Sequence, residues 1–243
     1  MEVSLSGKRV LITGAGRGIG RALALRVVAC GGHAIALSRT QTHLDTLKAE
    51  CPSVETVACD LGDWQKARAA VEAVGPIDCL VNNAAIAVLT SFFDITESEI
   101  DRAFDVNLKA VINVSQVAAR GMAERGRGGV IINISSQLSK KAKASAVYCS
   151  SKAALDHLTR VMALELGPKG IRVNSVNPTM VKTEMTEAAW RDPQRAAQLA
   201  KGVPLGRLAE PDDVVNAVLF LLSDAASLIS GESLLVDGGS SVY

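Results

Sequence analysis

Seven short runs of aliphatic and β-branched residues, RVLIT, HAIALS, VETVAC, DCLVNN, GVIINIS, IRVNSVN and SLLVD, alternate with stretches of helical periodicity along this 243-residue chain. Most of them are continuously apolar rather than alternating, as strands buried on both faces should be. The pattern predicts an α/β fold, with one parallel sheet covered by helices and right-handed crossovers that make it doubly wound. The segments from Ile100 to about Met122 and from Ala153 to Leu166 read as the longest amphipathic helices, the second stopped by Gly167 and Pro168. No repeat or linker interrupts the series, so a single domain over residues 1–243 is expected. Only the segment 180–206 breaks the rhythm. It reads either as a lid over a site or as a pair of small packed surface helices.

With 26 Lys plus Arg against 25 Asp plus Glu, the chain lacks the basic excess that nucleic acid or an anionic membrane would require. Small-molecule partners are expected. The N-terminus MEVSLSGKRV has no charged lead before a long apolar region, and no apolar run reaches about 18 residues, which together suggest a cytoplasmic protein. Cys30, Cys51, Cys59, Cys79 and Cys149 form an odd set without CxxC spacing. His33, His43 and His157 are equally scattered, so neither a disulfide framework nor a metal site is expected.

The first strand runs directly into TGAGRGIG, and an apolar helix follows. Gly14, Gly16, Gly18 and Gly20 let the backbone turn tightly and approach a pyrophosphate, which the free N–H groups of the helix start at Gly18, Ile19 and Gly20 can bind. The second strand ends at Ser38, Arg39 and Thr40, where a carboxylate would accept bonds from a ribose diol. No carboxylate is there to repel a 2′-phosphate. Arg39 with Arg17 of the glycine turn could clamp one, so NADPH is expected in preference to NADH.

Tyr148 and Lys152 occupy positions i and i+4 of a helical pattern in YCSSK and therefore share one face. An ammonium beside a phenol would stabilise the phenolate and lower the phenol pKa from its usual value near 10. GVIINIS ends at Ser135 and Ser136, twelve residues before Tyr148.

TGAGRGIG, NNAA at residues 82–85, Asn107 in DVNLKA, Ser136 in NISS and YCSSK, taken in order, resemble the short-chain dehydrogenase/reductases over nearly the whole chain. That resemblance implies a Rossmann-type sheet and hydride transfer. Tyr148 would be the proton donor, Ser136 a hydrogen-bond donor to the carbonyl oxygen, and Lys152 the group that orients the nicotinamide ribose. Asn107 would anchor a water of the proton relay, though a polar residue in an apolar helix can equally cap a buried backbone group. Asp60 and Leu61 would meet the adenine, Asn83 the adenosine-side ribose, and Val181 and Thr183 the nicotinamide amide. Ala85 and Thr179 stand where the family more often has glycine, and the segment 137–147 is one residue shorter than in the nearest kin and lacks a histidine.

Gln137 and Trp190 are substrate-contact candidates, as a polar group and an apolar wall, and both are also plausible packing residues. Cys149 adjoins Tyr148 but faces about 100° away on a helix, as a small apolar residue would. The resemblance further implies a homotetramer packed through the helices that begin near Ile100 and Ser150. The expected activity is reduction of α-dicarbonyls and L-xylulose. The alternatives are a 3-oxoacyl thioester reductase or other short-chain alcohol dehydrogenase, and a non-catalytic NADPH-sensing or adhesion protein.

Overall fold

The computed structural model describes residues 3–242. All seven apolar runs form strands: β1 (Arg9–Thr13), β2 (His33–Ser38), β3 (Glu55–Ala58), β4 (Cys79–Asn82), β5 (Gly129–Ile134), β6 (Ile171–Pro178) and β7 (Ser233–Val236). They make one parallel sheet in the order β3-β2-β1-β4-β5-β6-β7. The order reverses between β1 and β4. In open α/β sheets that reversal opens a crevice at the carboxyl ends of the strands, where ligands bind.

Successive strand residues point to opposite faces, and both faces are covered. On one face Val10, Ile12, Ala34 and Ala36 pack with Leu23, Ala24 and Val27 of α1 (Gly18–Ala29), Leu44 and Leu47 of α2 (Gln41–Glu50), and Val214, Val215 and Val218 of α9 (Pro211–Leu222). On the other, Leu11, Ile35 and Leu37 pack with Ala67 and Val71 of α3 (Trp64–Val74), Val114 and Ala118 of α5 (Ala110–Arg125), and Met162 of α6 (Ala146–Leu166). Each such aliphatic side chain contributes about 1.5–3 kcal/mol on burial. A strand with apolar residues at every position satisfies both layers at once.

Two helices differ from the sequence expectation. Instead of one helix from Ile100 to Met122, α4 (Glu97–Phe104) begins on a Thr96/Glu99 capping box and passes through a π-helical turn, Asp105–Lys109, into α5. The widened turn carries Asn107 inward, where it is fully buried, and apolar periodicity cannot reveal such a turn because its cause lies in distant partners. The second long helix begins at Ala146, not Ala153, so both Tyr148 and Lys152 lie inside it. Segment 180–206 holds a 3-10 turn (Glu184–Thr186), α7 (Glu187–Trp190) and α8 (Pro193–Ala200). Its base is pinned by a bridge between Val181 and Ala209 and by the Lys182–Glu210 pair at 2.6 Å.

Candidate active site

The glycine turn leaves β1 with no room for side chains. A Cβ on Gly14, whose φ is +66°, would lie 2.8 Å from Ala84 Cα, and one on Gly20 would lie 2.5 Å from Asn83 Nδ2 and 2.6 Å from the Gly14 carbonyl. Gly16 presses on Ser38 and His43, and Gly18 faces Thr183. The exposed Arg17 lends no side-chain cap to α1, so the N–H groups of its first turn remain available to an anion. A narrow backbone cradle at the start of a twelve-residue helix fits a dinucleotide pyrophosphate.

At the end of β2, the Arg39 side chain is 60% exposed and lies 3.8 Å from the Asp60 carboxylate. Both line an open cavity of about 420 Å³ with Gly62, Asp101, Arg102 and Val106. Ser38 and Thr40 are half-buried beside it. Leu61, by contrast, turns its side chain into the core among Ala67 and Val71, which leaves only its backbone for an adenine.

Asn83 shapes the cradle. Its Nδ2 donates to the carbonyls of Thr13 (2.9 Å) and Gly14 (3.2 Å), and its own N–H donates to Thr13 Oγ1 (3.0 Å). Ile19 packs against the α1 core layer. Val181 is buried, and Thr183 is half-buried, with its methyl toward Gly18.

Ser136 follows β5 and Tyr148 sits in the first turn of α6, with the Ser136 side chain close enough to favour the phenolate. Burial pushes the phenol up to about 12, with Ser136 opposing and Cys149 reinforcing that shift. The sequence expectation was a lowered phenol, and the position of Lys152 explains the difference. Its Nζ lies 5.8 Å from the centre of the Tyr148 ring but donates to the Ile134 carbonyl at 2.8 Å. The lysine is 2% exposed, and burial lowers its pKa to about 8 while Asp156 raises it. Desolvation penalises whichever form is charged, so the same burial raises the acid and lowers the base.

Asn107 follows the capping alternative. Its Oδ1 accepts from the Ile86 N–H (2.9 Å), and its Nδ2 donates to the Ile86 carbonyl and to Ser151 Oγ, both at 3.0 Å. The side chain thus ties the loop after β4 to α6. Gln137 Oε1 is buried next to Ser136 with no partner, an acceptor available to a substrate hydroxyl. Trp190 directs its indole N–H at the Thr183 carbonyl and Thr186 Oγ1, both at 3.1 Å, so its polar edge braces α7 against the base of the segment. Sequence reasoning missed His43, Ser151 and Asp156. Each is recognisable only through a partner far away in the chain.

A parallel sheet with a glycine-rich cradle at its switch point, and with a Ser, a Tyr and a Lys at the ends of the neighbouring elements, is the architecture of a dinucleotide-dependent oxidoreductase. The chain belongs to the short-chain dehydrogenase/reductase family. Residues 14–241 match the family described as Enoyl-(Acyl carrier protein) reductase. The chain is 54% identical to the L-xylulose reductase of Homo sapiens and 48% identical to carbonyl reductase [NADPH] 2 of Sus scrofa, in each case across 98% of both chains. Among solved structures it is similar to a gluconate 5-dehydrogenase from Burkholderia cenocepacia in complex with NADP and tartrate. That match has 33% identity and a TM-score of 0.94 over 100% of this chain and 98% of the other.

Proposed function

We propose that this chain is an NADPH-dependent carbonyl reductase acting on α-dicarbonyls and on L-xylulose, which it converts to xylitol. The observation that carries the reading is the meeting of Ser136, Tyr148 and the buried Lys152 at the carboxyl end of β5, with the Lys152 nitrogen 5.8 Å from the centre of the phenol ring. The names and NADP contents of the similar proteins support the substrate class and the cofactor.

When bound, the nicotinamide supplies the hydride that reaches the carbonyl carbon. Negative charge then grows on the carbonyl oxygen, and Ser136 and Tyr148 meet it with O–H donors already in place. A phenol held near 12 stays protonated at neutral pH, so it reaches that step as an acid, and its proton passes to the oxygen. Lys152 keeps a positive charge behind the phenol and is aimed at Ile134. Arg17 and Arg39 are the residues that would hold a 2′-phosphate, and Asn83 and the four glycines shape the cradle. Segment 180–206, with Val181, Thr183 and Trp190, serves as the lid. The unpaired Gln137 Oε1 would receive a substrate hydroxyl.

A cytoplasmic homotetramer organised as a single domain belongs to the same proposal. Among the described residues no helix is long and apolar enough to cross a membrane. Ile100, Val161 and Leu164 leave apolar side chains in solvent along α4 and α6, where subunits would pack.

The acyl-carrier substrate in the family description keeps a 3-oxoacyl thioester reductase as the second reading. NADPH consumption by the purified protein with L-xylulose, diacetyl and an acetoacetyl thioester, run beside Tyr148→Phe, separates the two. Turnover of the first two substrates and not the third is expected. Turnover of the thioester alone would replace the substrate class, and NADPH binding without any turnover would favour a non-catalytic binder.

A further inference from the structure

Behind Ser136, on the β6 side, lies a carboxylate that the reduction described above does not use. Asp156 is one helical turn beyond Lys152 in α6 and is 4% exposed. Its Oδ2 accepts from Ser139 Oγ at 2.5 Å and from Asn177 Nδ2 at 2.8 Å, and its Oδ1 accepts from Ser175 Oγ at 3.2 Å. A carboxylate this deep is tolerated only among such donors.

The same donors reach Ser136. Asn177 Nδ2 lies 3.1 Å and Ser139 Oγ 2.8 Å from the Ser136 carbonyl. The Ser139 hydroxyl has one proton, and the charged acceptor holds it more strongly. Asn177 has two protons, one for the carboxylate and one for the Ser136 carbonyl or Ser139 Oγ at 2.9 Å. Ser175 Oγ, also 2.9 Å from Asn177 Oδ1, fixes the amide's orientation. Three side chains from the turn after β5 and from β6 are thus ordered by one charge on α6.

We propose that Asp156 is a positioning residue of the reductase, orienting Ser136 through Asn177, which Ser139 also holds, and standing one helical turn from Lys152 as its counter-charge. The inference rests on the assignment of Ser136, Tyr148 and Lys152 to carbonyl reduction. Among the described residues, Asp156 is the charged group that acts on Lys152. On α6 the titratable neighbour is Tyr148, and β5 offers the Ile134 carbonyl and Ser135. The π turn packed on α6 presents Asn107 to Ser151, while its Asp105 and Lys109 pair with each other at 2.7 Å. Among the described residues, the hydrogen bonds to Asp156 come from Ser175, Asn177 and Ser139. Burial holds Lys152 near 8 against the pull of Asp156, so loss of the carboxylate charge moves its midpoint lower.

The test follows the side-chain signals of isotope-labelled lysines in the full-length protein by NMR across pH, with Lys152→Met to assign the signal, and measures NADPH-dependent reduction of L-xylulose on the same proteins. In Asp156→Asn the Lys152 midpoint falls below that of the wild type, and kcat at pH 7 drops about 10-fold or more while NADPH affinity is kept. Asp156→Glu restores the midpoint. Ser175→Ala, which keeps the charge, lowers the melting temperature without moving the midpoint. An Asp156→Asn protein with the wild-type midpoint and kcat would overturn the proposal. If that variant does not fold, Ser139→Ala decides the positioning link, and a folded Ser139→Ala with wild-type kcat sinks it. A wild-type protein that reduces no carbonyl overturns the reductase assignment instead, and the lysine titration still decides the charge link.

Discussion

Lys152 and Tyr148 lie one helical turn apart with the ammonium nitrogen 5.8 Å from the phenol ring centre, yet that nitrogen gives its hydrogen bond to the Ile134 carbonyl at 2.8 Å. The pair shares a face of α6 without sharing a proton. Burial therefore governs both groups, moving the phenol up to about 12 and the ammonium down to about 8.

Removing the phenolic hydroxyl should abolish proton transfer and leave the cradle intact. Tyr148→Phe is expected to lower kcat by about two to four orders of magnitude, the typical weight of a general acid. Quenching of protein fluorescence by NADPH should be unchanged.

Lys152 should make stability depend on pH in a defined window. Its folded pKa, about 8, lies below the ordinary lysine value of 10.5, so the unfolded chain binds the proton more tightly. The charged amine then opposes folding below pH 8, by an amount on the order of 3 kcal/mol, and the penalty fades as pH rises toward 10.5. Urea unfolding at pH 7 and at pH 9.5 should show the wild type gaining stability relative to Lys152→Met. Parallel curves for the two proteins would contradict the burial of a charged amine.

The cofactor preference should hinge on Arg39. Its guanidinium is mostly exposed and only loosely paired with Asp60, so it is available to a 2′-phosphate. Arg39→Asp should shift the ratio of kcat/KM for NADPH over NADH toward NADH by about 10-fold or more, since a charge-assisted bond is replaced by repulsion.

Gly20→Ala should fail at the cradle itself. The added methyl would meet Asn83 Nδ2 at 2.5 Å and the Gly14 carbonyl at 2.6 Å, and the second is backbone that cannot swing aside. A loss of about 1–3 kcal/mol in denaturant unfolding is expected, with weakened NADPH binding.

Leu164 is 79% exposed on α6, close to Val161 at 36%. If this face joins subunits, Leu164→Glu places a charge in an apolar contact and should reduce the mass seen by light scattering at micromolar concentration. An unchanged tetramer would move the interface elsewhere.

Local patterns made most of the fold legible. Continuous apolar runs marked most of the strands because a strand covered on both faces needs few polar positions. The glycine turn was legible for a similar reason, since β1, the turn and α1 are contiguous in sequence. The π turn at Asp105–Lys109 was not, because Asn107 is drawn inward by Ile86 and Ser151, 21 and 44 residues away. Likewise the hold of the Asn83 amide on the carbonyls of Thr13 and Gly14, about 70 residues earlier, has no local sequence signal.

The sequence by itself determined the layered α/β architecture, the glycine turn and the shared helix face of Tyr148 and Lys152, since each follows from residues adjacent in the chain or one helical turn apart, while Ser136 was singled out by the family resemblance. Only the tertiary structure decided where the Lys152 proton points, which way the phenol pKa moves and which carboxylate stands behind Ser136. Those properties depend on desolvation and on hydrogen bonds between α6, β5 and β6, elements that come together only when the sheet is assembled.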